Sequence, residues 1–237
     1  MLIQCDASQL EWRTILQLAK DEVGIQEVLA KADAHSLNQV AFNLPSRLIA
    51  KIYLFRTIFR GSGWSFANDP DFMHVSANPK YWDEVNEKFF AKYWGIDRCH
   101  QRWKDEVVKH GVIHGPMGRS WSIGLKRDYK GEIKIPWTTL SNYPVQGTGA
   151  DVMMLARISA NKRLKKSGIS FLWRVTVHDS LVVDTHEKYV QDIAAIFDSV
   201  FADVPKNIKK VFGYEWIVPM ACESKYGLDM KNMHKIA

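Results

Sequence analysis

Leu2-Ile3-Gln4-Cys5-Asp6-Ala7-Ser8-Gln9-Leu10-Glu11 and Arg174-Val175-Thr176-Val177-His178-Asp179-Ser180-Leu181-Val182-Val183 are the stretches on which the fold turns. Each sets one aspartate inside, or at the end of, an apolar, β-branched run. Asp6 and Asp179 therefore read as acids on buried strands. A buried carboxylate is costly unless something pairs with it, and two on neighbouring strands repel each other. A divalent cation is the usual remedy. Such a pair suits two-metal phosphoryl transfer, in which ions about 3.5–4 Å apart clamp the attacking and leaving oxygens.

Outward from these strands the pattern is mostly helical. A strand at 1–6 runs into a helix near 9–20, where Leu10, Ile15, Leu16 and Leu18 keep helical spacing. Helical patterns recur near 24–31 and 35–42. Pro45 suits the first turn of a helix near 46–60 that stops at Gly61-Ser62-Gly63. The stretch 62–80 holds Gly, Asn and Pro and reads as loop. Aromatic-rich helices follow near 80–93 and 97–110, and turn signals within 111–136 predict one or two hairpins. A helix near 144–166, strands near 170–177 and 180–185 meeting at His178-Asp179, a helix near 187–203 and a last strand near 214–222 complete the order. The expected class is α+β: a small antiparallel sheet with helices, and a mostly helical subdomain inserted between its parts. The expected division is 1–20, 21–140 and 141–237. The chain opens inside a core strand rather than a polar lead-in, which suggests a fragment or the second piece of a split protein.

Composition narrows the class. With 237 residues, 46% hydrophobic and 24% charged, the chain has the make-up of a globular protein, not of a disordered one. Net charge is +6, which permits a polyanionic partner without showing one. Three widely spaced cysteines, with no C-x-x-C pair, argue against structural zinc and fit a reducing compartment. No segment has the apolar length of a membrane span, and no secretory signal is apparent, so a cytoplasmic, non-secreted protein is expected.

Arg47, Lys51, Phe55 and Phe59 recur every four residues, which on a helix makes one slowly drifting stripe of two cations followed by two rings. Near a helix N-terminus this could hold a triphosphate with a base or sugar beside it. Alone, the stripe reads more readily as an amphipathic helix with solvated cations and core rings. Its company changes that reading. Asp6-Ala7-Ser8-Gln9-Leu10-Glu11-Trp12-Arg13 resembles motif A of the family A DNA polymerases, the bacterial polymerase I and phage replicative type. Arg47-x3-Lys51-x3-Phe55-x3-Phe59-x-Gly61 resembles motif B, and Val177-His178-Asp179 resembles motif C. Asp33-Ala34-His35 and Asn142-Tyr143-Pro144-Val145-Gln146-Gly147-Thr148-Gly149-Ala150-Asp151 resemble two further blocks, in the family's order.

The resemblance implies a partial polymerase palm at 1–20 and 141–237, with the fingers and connecting hairpins at 21–140. It implies template-directed DNA synthesis by transfer from a dNTP to a primer 3′-hydroxyl. Asp6, Asp179 and the carbonyl of Ala7 would hold two Mg²⁺ ions, one activating the primer hydroxyl and the other neutralising pyrophosphate. Arg47, Lys51 and His35 would contact the triphosphate, with Lys51 also able to protonate the leaving group. Gln9 and Glu11 would border the nucleotide, Glu11 closing the space that a ribose 2′-hydroxyl needs. Phe55 would lie at the sugar and discriminate against nucleotides lacking the 3′-hydroxyl. Phe59 would stack near the templating pair. Arg13, Asn142, Gln146 and His178 would touch primer or template, where nearly degenerate minor-groove acceptors let one site accept every base pair.

Departures qualify the match. Ser180 stands where the family usually has Glu after the motif C aspartate, so one nearby acid is missing; the two main ligands remain, and metal binding is expected to survive in weakened form. Ala7, Trp12 and Phe59 replace an aromatic residue, Leu and Tyr, and Arg56 and Arg60 add charge. The family's thumb, part of its palm and its usual exonuclease domain have no counterpart in the sequence. A separate N-terminal chain carrying the thumb, and possibly the exonuclease, is therefore an expected partner beside primer–template DNA and dNTPs. Leu44-Pro45-x-Arg47 looks closer to phage relatives, which would mean a host cytoplasm. Two alternatives are a two-metal nuclease, which leaves the Arg47/Lys51/Phe55 stripe unexplained, and a noncatalytic nucleic-acid-binding remnant.

Overall fold

Strand β1 (Leu2–Ala7) opens the fold, and a two-residue turn at Ser8-Gln9 leads into helix α1 (Leu10–Ala19). A computed structural model describes residues 1–236. Helices α2 (Glu22–Leu29), α3 (Ala34–Ala41), α4 (Arg47–Thr57), α5 (Gly63–Ala67), α6 (Pro70–Met73), α7 (Pro79–Lys92) and α8 (Trp94–His110) follow. Two small hairpins come next, β2 (Val112–His114) with β3 (Ser120–Ser122), and β4 (Lys126–Arg127) with β5 (Ile133–Lys134). Helix α9 (Trp137–Ser167) leads to β6 (Phe171–Val177) and β7 (Ser180–Thr185). A single 3₁₀ turn, α10 (Val190–Ala202), α11 (Val204–Phe212), β8 (Cys222–Gly227) and β9 (His234–Lys235) complete the chain. The fold is α+β with antiparallel sheets, as the alternation of short apolar runs and helical periods predicts.

The chain divides into two units. Met1–Leu10 and Gly147–Ala237 form one, and Glu11–Gln146 the other. In the first, the sheet order is β6-β7-β1-β8-β9, so β1 pairs with segments remote in sequence on both sides. Cys5 lies opposite Leu181 and Ser224, and Asp6 opposite Ser180 and Glu223. Alternation along β1 buries Ile3, Cys5 and Ala7 and leaves Gln4 and Asp6 half-buried. Phe197, Val200, Phe201 and Ile193 of α10 are buried, and α10 packs on β1 and β8. β6 and β7 meet in a two-residue turn where His178 takes a left-handed φ of 51°, so the turn residue that the sequence conceals is a histidine.

The second unit is helical around an aromatic core. Phe66 stacks on Trp82 at 5.3 Å and meets Tyr53 at 5.3 Å and Phe72 edge-on at 5.0 Å. Asp21, fully buried, caps α2 through the Gly24 N–H (2.9 Å) and also accepts from the Gly95 N–H (2.8 Å) at the start of α8. A Cβ at Gly95 would lie 2.8 Å from the Asp21 Cα, so only glycine admits this approach.

Several elements differ from the sequence expectations. Residues 62–80 are not all loop: Ser62 caps α5, and Asp69 caps α6 with Pro70 at its first turn. Pro45 precedes the cap of α4, which is Ser46, accepting from the Ile49 N–H at 3.2 Å. That helix ends at Thr57, so Phe59 lies in the following turn and not on the stripe. α9 begins earlier than expected and carries Pro144 inside it, tertiary packing overriding the proline signal. Residues 213–221 form no strand of the sheet, which pairs only from Cys222. α11 went unpredicted.

Candidate active site

Asp6 and Asp179 lie on the same unit, one residue apart in the strand register. Asp6 sits at the end of β1 opposite Ser180, and the Ala7 N–H donates to the Asp179 carbonyl at 2.9 Å. Antiparallel pairing of β1 with β7 thus sets the two aspartates in adjacent rows. They are not buried strand acids, as the sequence suggests. Both are half-buried, and Asp179 belongs to the β6–β7 turn. This partial exposure leaves room for solvent and substrate oxygens beside them. The Ser180 hydroxyl donates to Asp6 Oδ1, and the Gln4 side-chain amide reaches Oδ1 at 3.0 Å, Oδ2 at 3.1 Å and the Ser180 Oγ at 3.1 Å. Glu223, on the other flank of Asp6, pairs with Lys235 at 3.0 Å.

Among the described residues no group of three or more His, Cys, Asp or Glu is arranged to hold a metal ion. The donors on this row are nonetheless all oxygens: two carboxylates and main-chain carbonyls. Mg²⁺ is commonly bound by one or two carboxylates together with waters and substrate phosphates, not by a closed protein cage. The donor chemistry fits that ion. Gln9, with a left-handed φ of 53°, and the exposed His178 lie on the same unit.

The helical unit carries a second group. Arg47, the first residue of α4, grips Asp33 through Nε (2.6 Å) and Nη2 (3.0 Å), and Ser36 Oγ adds a bond to the same carboxylate at 2.5 Å. The Arg47 guanidinium holds the Asp33 carboxyl well below the usual carboxylate range. His35 is 3% exposed and lies 6.1 Å from the Phe55 ring, centroid to centroid. Burial, with Arg47 and Lys51 nearby, pushes its pKa down, so it is neutral at pH 7. Its Nδ1 finds no partner among the described residues. His35, Arg47, Lys51 and Phe55 therefore belong to one α3–α4 neighbourhood, with exposed Lys51 one turn beyond Arg47.

The remaining predicted residues of this unit lie on other elements: Glu11 and Arg13 on α1, Phe59 in the turn after α4, Asn142 and Gln146 on α9. Gln146 is exposed on α9. Arg56 and Arg60, extra charges in the sequence, are engaged internally. Arg56 pairs with Asp69 at 2.6 Å and lies over Phe72, and Arg60 pairs with Asp97 and lies over Phe90. Arg60 also borders a groove of about 860 Å³ lined by Asp83, Glu87, Phe90 and Trp137.

Sequence reasoning missed Gln4 and Asp33 as parts of these groups. Gln4 was open to discovery, since residues two apart on a strand share a face.

Similar proteins are DNA polymerases. DNA polymerase I of Pseudomonas aeruginosa is 25% identical over 91% of this chain and 24% of its own. DNA polymerase I of Aquifex aeolicus is 24% identical over 89% of this chain and 38% of its own. The DNA polymerase of Mycobacterium phage L5 is 25% identical over 82% of this chain and 30% of its own. The chain thus spans well under half the length of these relatives. The fold is that of the POL domain of Pol1 from M. smegmatis, solved in complex with DNA primer-template and dNTP. The TM-score is 0.76 at 20% identity, over 95% of this chain and 39% of that one. The family model for DNA polymerase family A matches residues 1–232, and the chain belongs to that family.

Proposed function

We propose that this chain carries the nucleotide-selecting and catalytic part of a template-directed DNA polymerase. It would transfer nucleotides from dNTPs to a primer 3′-hydroxyl. The observation that carries the reading is the pairing of β1 with β7, which sets Asp6 beside the Asp179 turn. The polymerases it resembles are longer, so primer extension requires a thumb-bearing part, on the same polypeptide or on a separate N-terminal chain. The sheet unit would serve as palm and the helical unit as fingers. No helix among the described residues is long and apolar enough to cross a membrane.

Asp6, Asp179 and the Ala7 carbonyl would hold Mg²⁺, which when bound lowers the pKa of the primer hydroxyl and neutralises the pyrophosphate. Arg47 would keep its hold on Asp33 and offer its other donors to a phosphate, since a guanidinium has five N–H donors and Asp33 uses two. Lys51 would hold a proton at Nζ for the leaving oxygen. Neutral His35 would donate one ring N–H to the triphosphate. Phe55 and Glu11 would bound the sugar and Gln9 the nucleotide, while Phe59, Arg13, Asn142, Gln146 and His178 would line the primer and template.

The test is primer extension by the chain supplied with a thumb-bearing part, repeated with Asp179→Ala. Extension that depends on Asp179, with DNA binding kept, is the expected result. Degradation without extension would instead support a nuclease. DNA binding indifferent to Asp179→Ala, with no extension in any mixture, would support a noncatalytic remnant.

A further inference from the structure

Gln4 has no part in the roles given above, yet its side chain is tied to the chemistry more closely than any other neighbour. Its amide nitrogen contacts both oxygens of Asp6 and the hydroxyl of Ser180, while that hydroxyl donates to Asp6 Oδ1. The three side chains close a ring: Gln4 donates to Ser180, Ser180 to Asp6, and Gln4 to Asp6. Ser180 is buried, and strand register fixes it opposite Asp6, so the ring is built on paired strand backbone. Chains of hydrogen bonds of this kind polarise one another.

We propose that Gln4 is a positioning residue for Asp6. With Ser180, it fixes the rotation of the Asp6 carboxylate so that the free acceptor positions face one way, ready for a hard cation. The proposal rests on the metal-binding reading of Asp6. A freely turning carboxylate loses rotamer freedom when it binds an ion, and one already held by two donors loses less. An ionised carboxylate has about four acceptor positions. The ring occupies three, all with neutral donors, and one position remains for the ion. A carboxylate at residue 180, as in relatives, would repel Asp6. The serine replaces that repulsion with a hydrogen bond, and the loss of charge is offset by order. Partners that orient a metal's ligands are typically worth about 10–100-fold in affinity.

The experiment titrates Mn²⁺ into the 237-residue chain, without DNA or nucleotide, and follows free Mn²⁺ by electron paramagnetic resonance. Wild type, Asp6→Asn, Gln4→Met and Ser180→Ala are compared, with thermal melting of each. Methionine keeps the unbranched length of Gln4 and removes its donors. The expected result is weaker binding by about tenfold in Gln4→Met and by a smaller factor in Ser180→Ala, with melting of Gln4→Met near wild type. Should Gln4→Met fail to fold, a weakening in Ser180→Ala carries the test, and wild-type affinity there overturns the proposal. Gln4→Met binding as tightly as wild type, or tighter, also overturns it, while loss of binding in Asp6→Asn keeps the metal reading. Wild type that binds no Mn²⁺, or Asp6→Asn that binds like wild type, removes the metal reading itself and this inference with it.

Discussion

The bidentate contact between Asp33 and Arg47 fixes an exposed cation of the candidate nucleotide site before any nucleotide arrives. Its worth to stability is small, because both partners are partly exposed. To binding of a triphosphate the carboxylate is a cost, since like charges about 4 Å apart repel by about 1 kcal/mol even in water. Asp33→Asn should therefore tighten binding of a free dNTP by about fivefold, with little change in melting temperature. Arg47→Lys, which removes the planar fork, should weaken it by about tenfold. Titration calorimetry with a dNTP checks both. At this scale the sequence was a partial guide. The pair of aspartates, and the two cations and ring of α4, follow from strand and helix periods. Asp33 was visible only as part of a motif block, because its partner lies 14 residues away across a chain reversal that periodicity does not record.

Helix α4 carries Arg47, Lys51 and Phe55, and its start is set by one hydroxyl, that of Ser46 on the Ile49 N–H. Ser46→Ala should lower stability by about 1 kcal/mol, read as a fall in the midpoint of urea unfolding. It should also loosen the first turn, which holds Arg47. The longer elements were legible in the sequence because apolar spacing repeats over several turns, as in α1, α7 and α8. The short ones were not. α5 and α6 last one turn each and are defined by the caps Ser62 and Asp69, so no period exists to detect. Asp69-Pro70 was nonetheless a readable cap and first turn. Pro144 misled in the opposite sense, since helix α9 runs through it. The strand expected at 214–222 was displaced because extended shape without a register-bearing partner is not a strand, and pairing with β1 begins only at Cys222.

For the molecule as a whole, acid should be destabilising in a defined window. His100 is fully buried, accepts at Nδ1 from the Arg60 Nε–H at 2.9 Å, and Arg60 is in turn paired with Asp97. Burial and the guanidinium push its pKa well down, and His35 is shifted in the same direction. An unfolded histidine titrates near about 6.5. As pH falls through that value the unfolded chain binds protons that the folded chain refuses, so stability declines. Melting temperature should drop between pH 7 and pH 5, and His100→Gln should show a shallower drop, measured by circular dichroism. The sheet order has another consequence. β1 finds its partners only in β7 and β8, which follow the helical unit in the chain, whereas the helical unit closes on contacts within 11–146. Contact order is thus uneven along the polypeptide. During synthesis the helical part can settle on the ribosome while β1 waits unpaired, and the row that holds Asp6 is assembled only once β7 and β8 have been made.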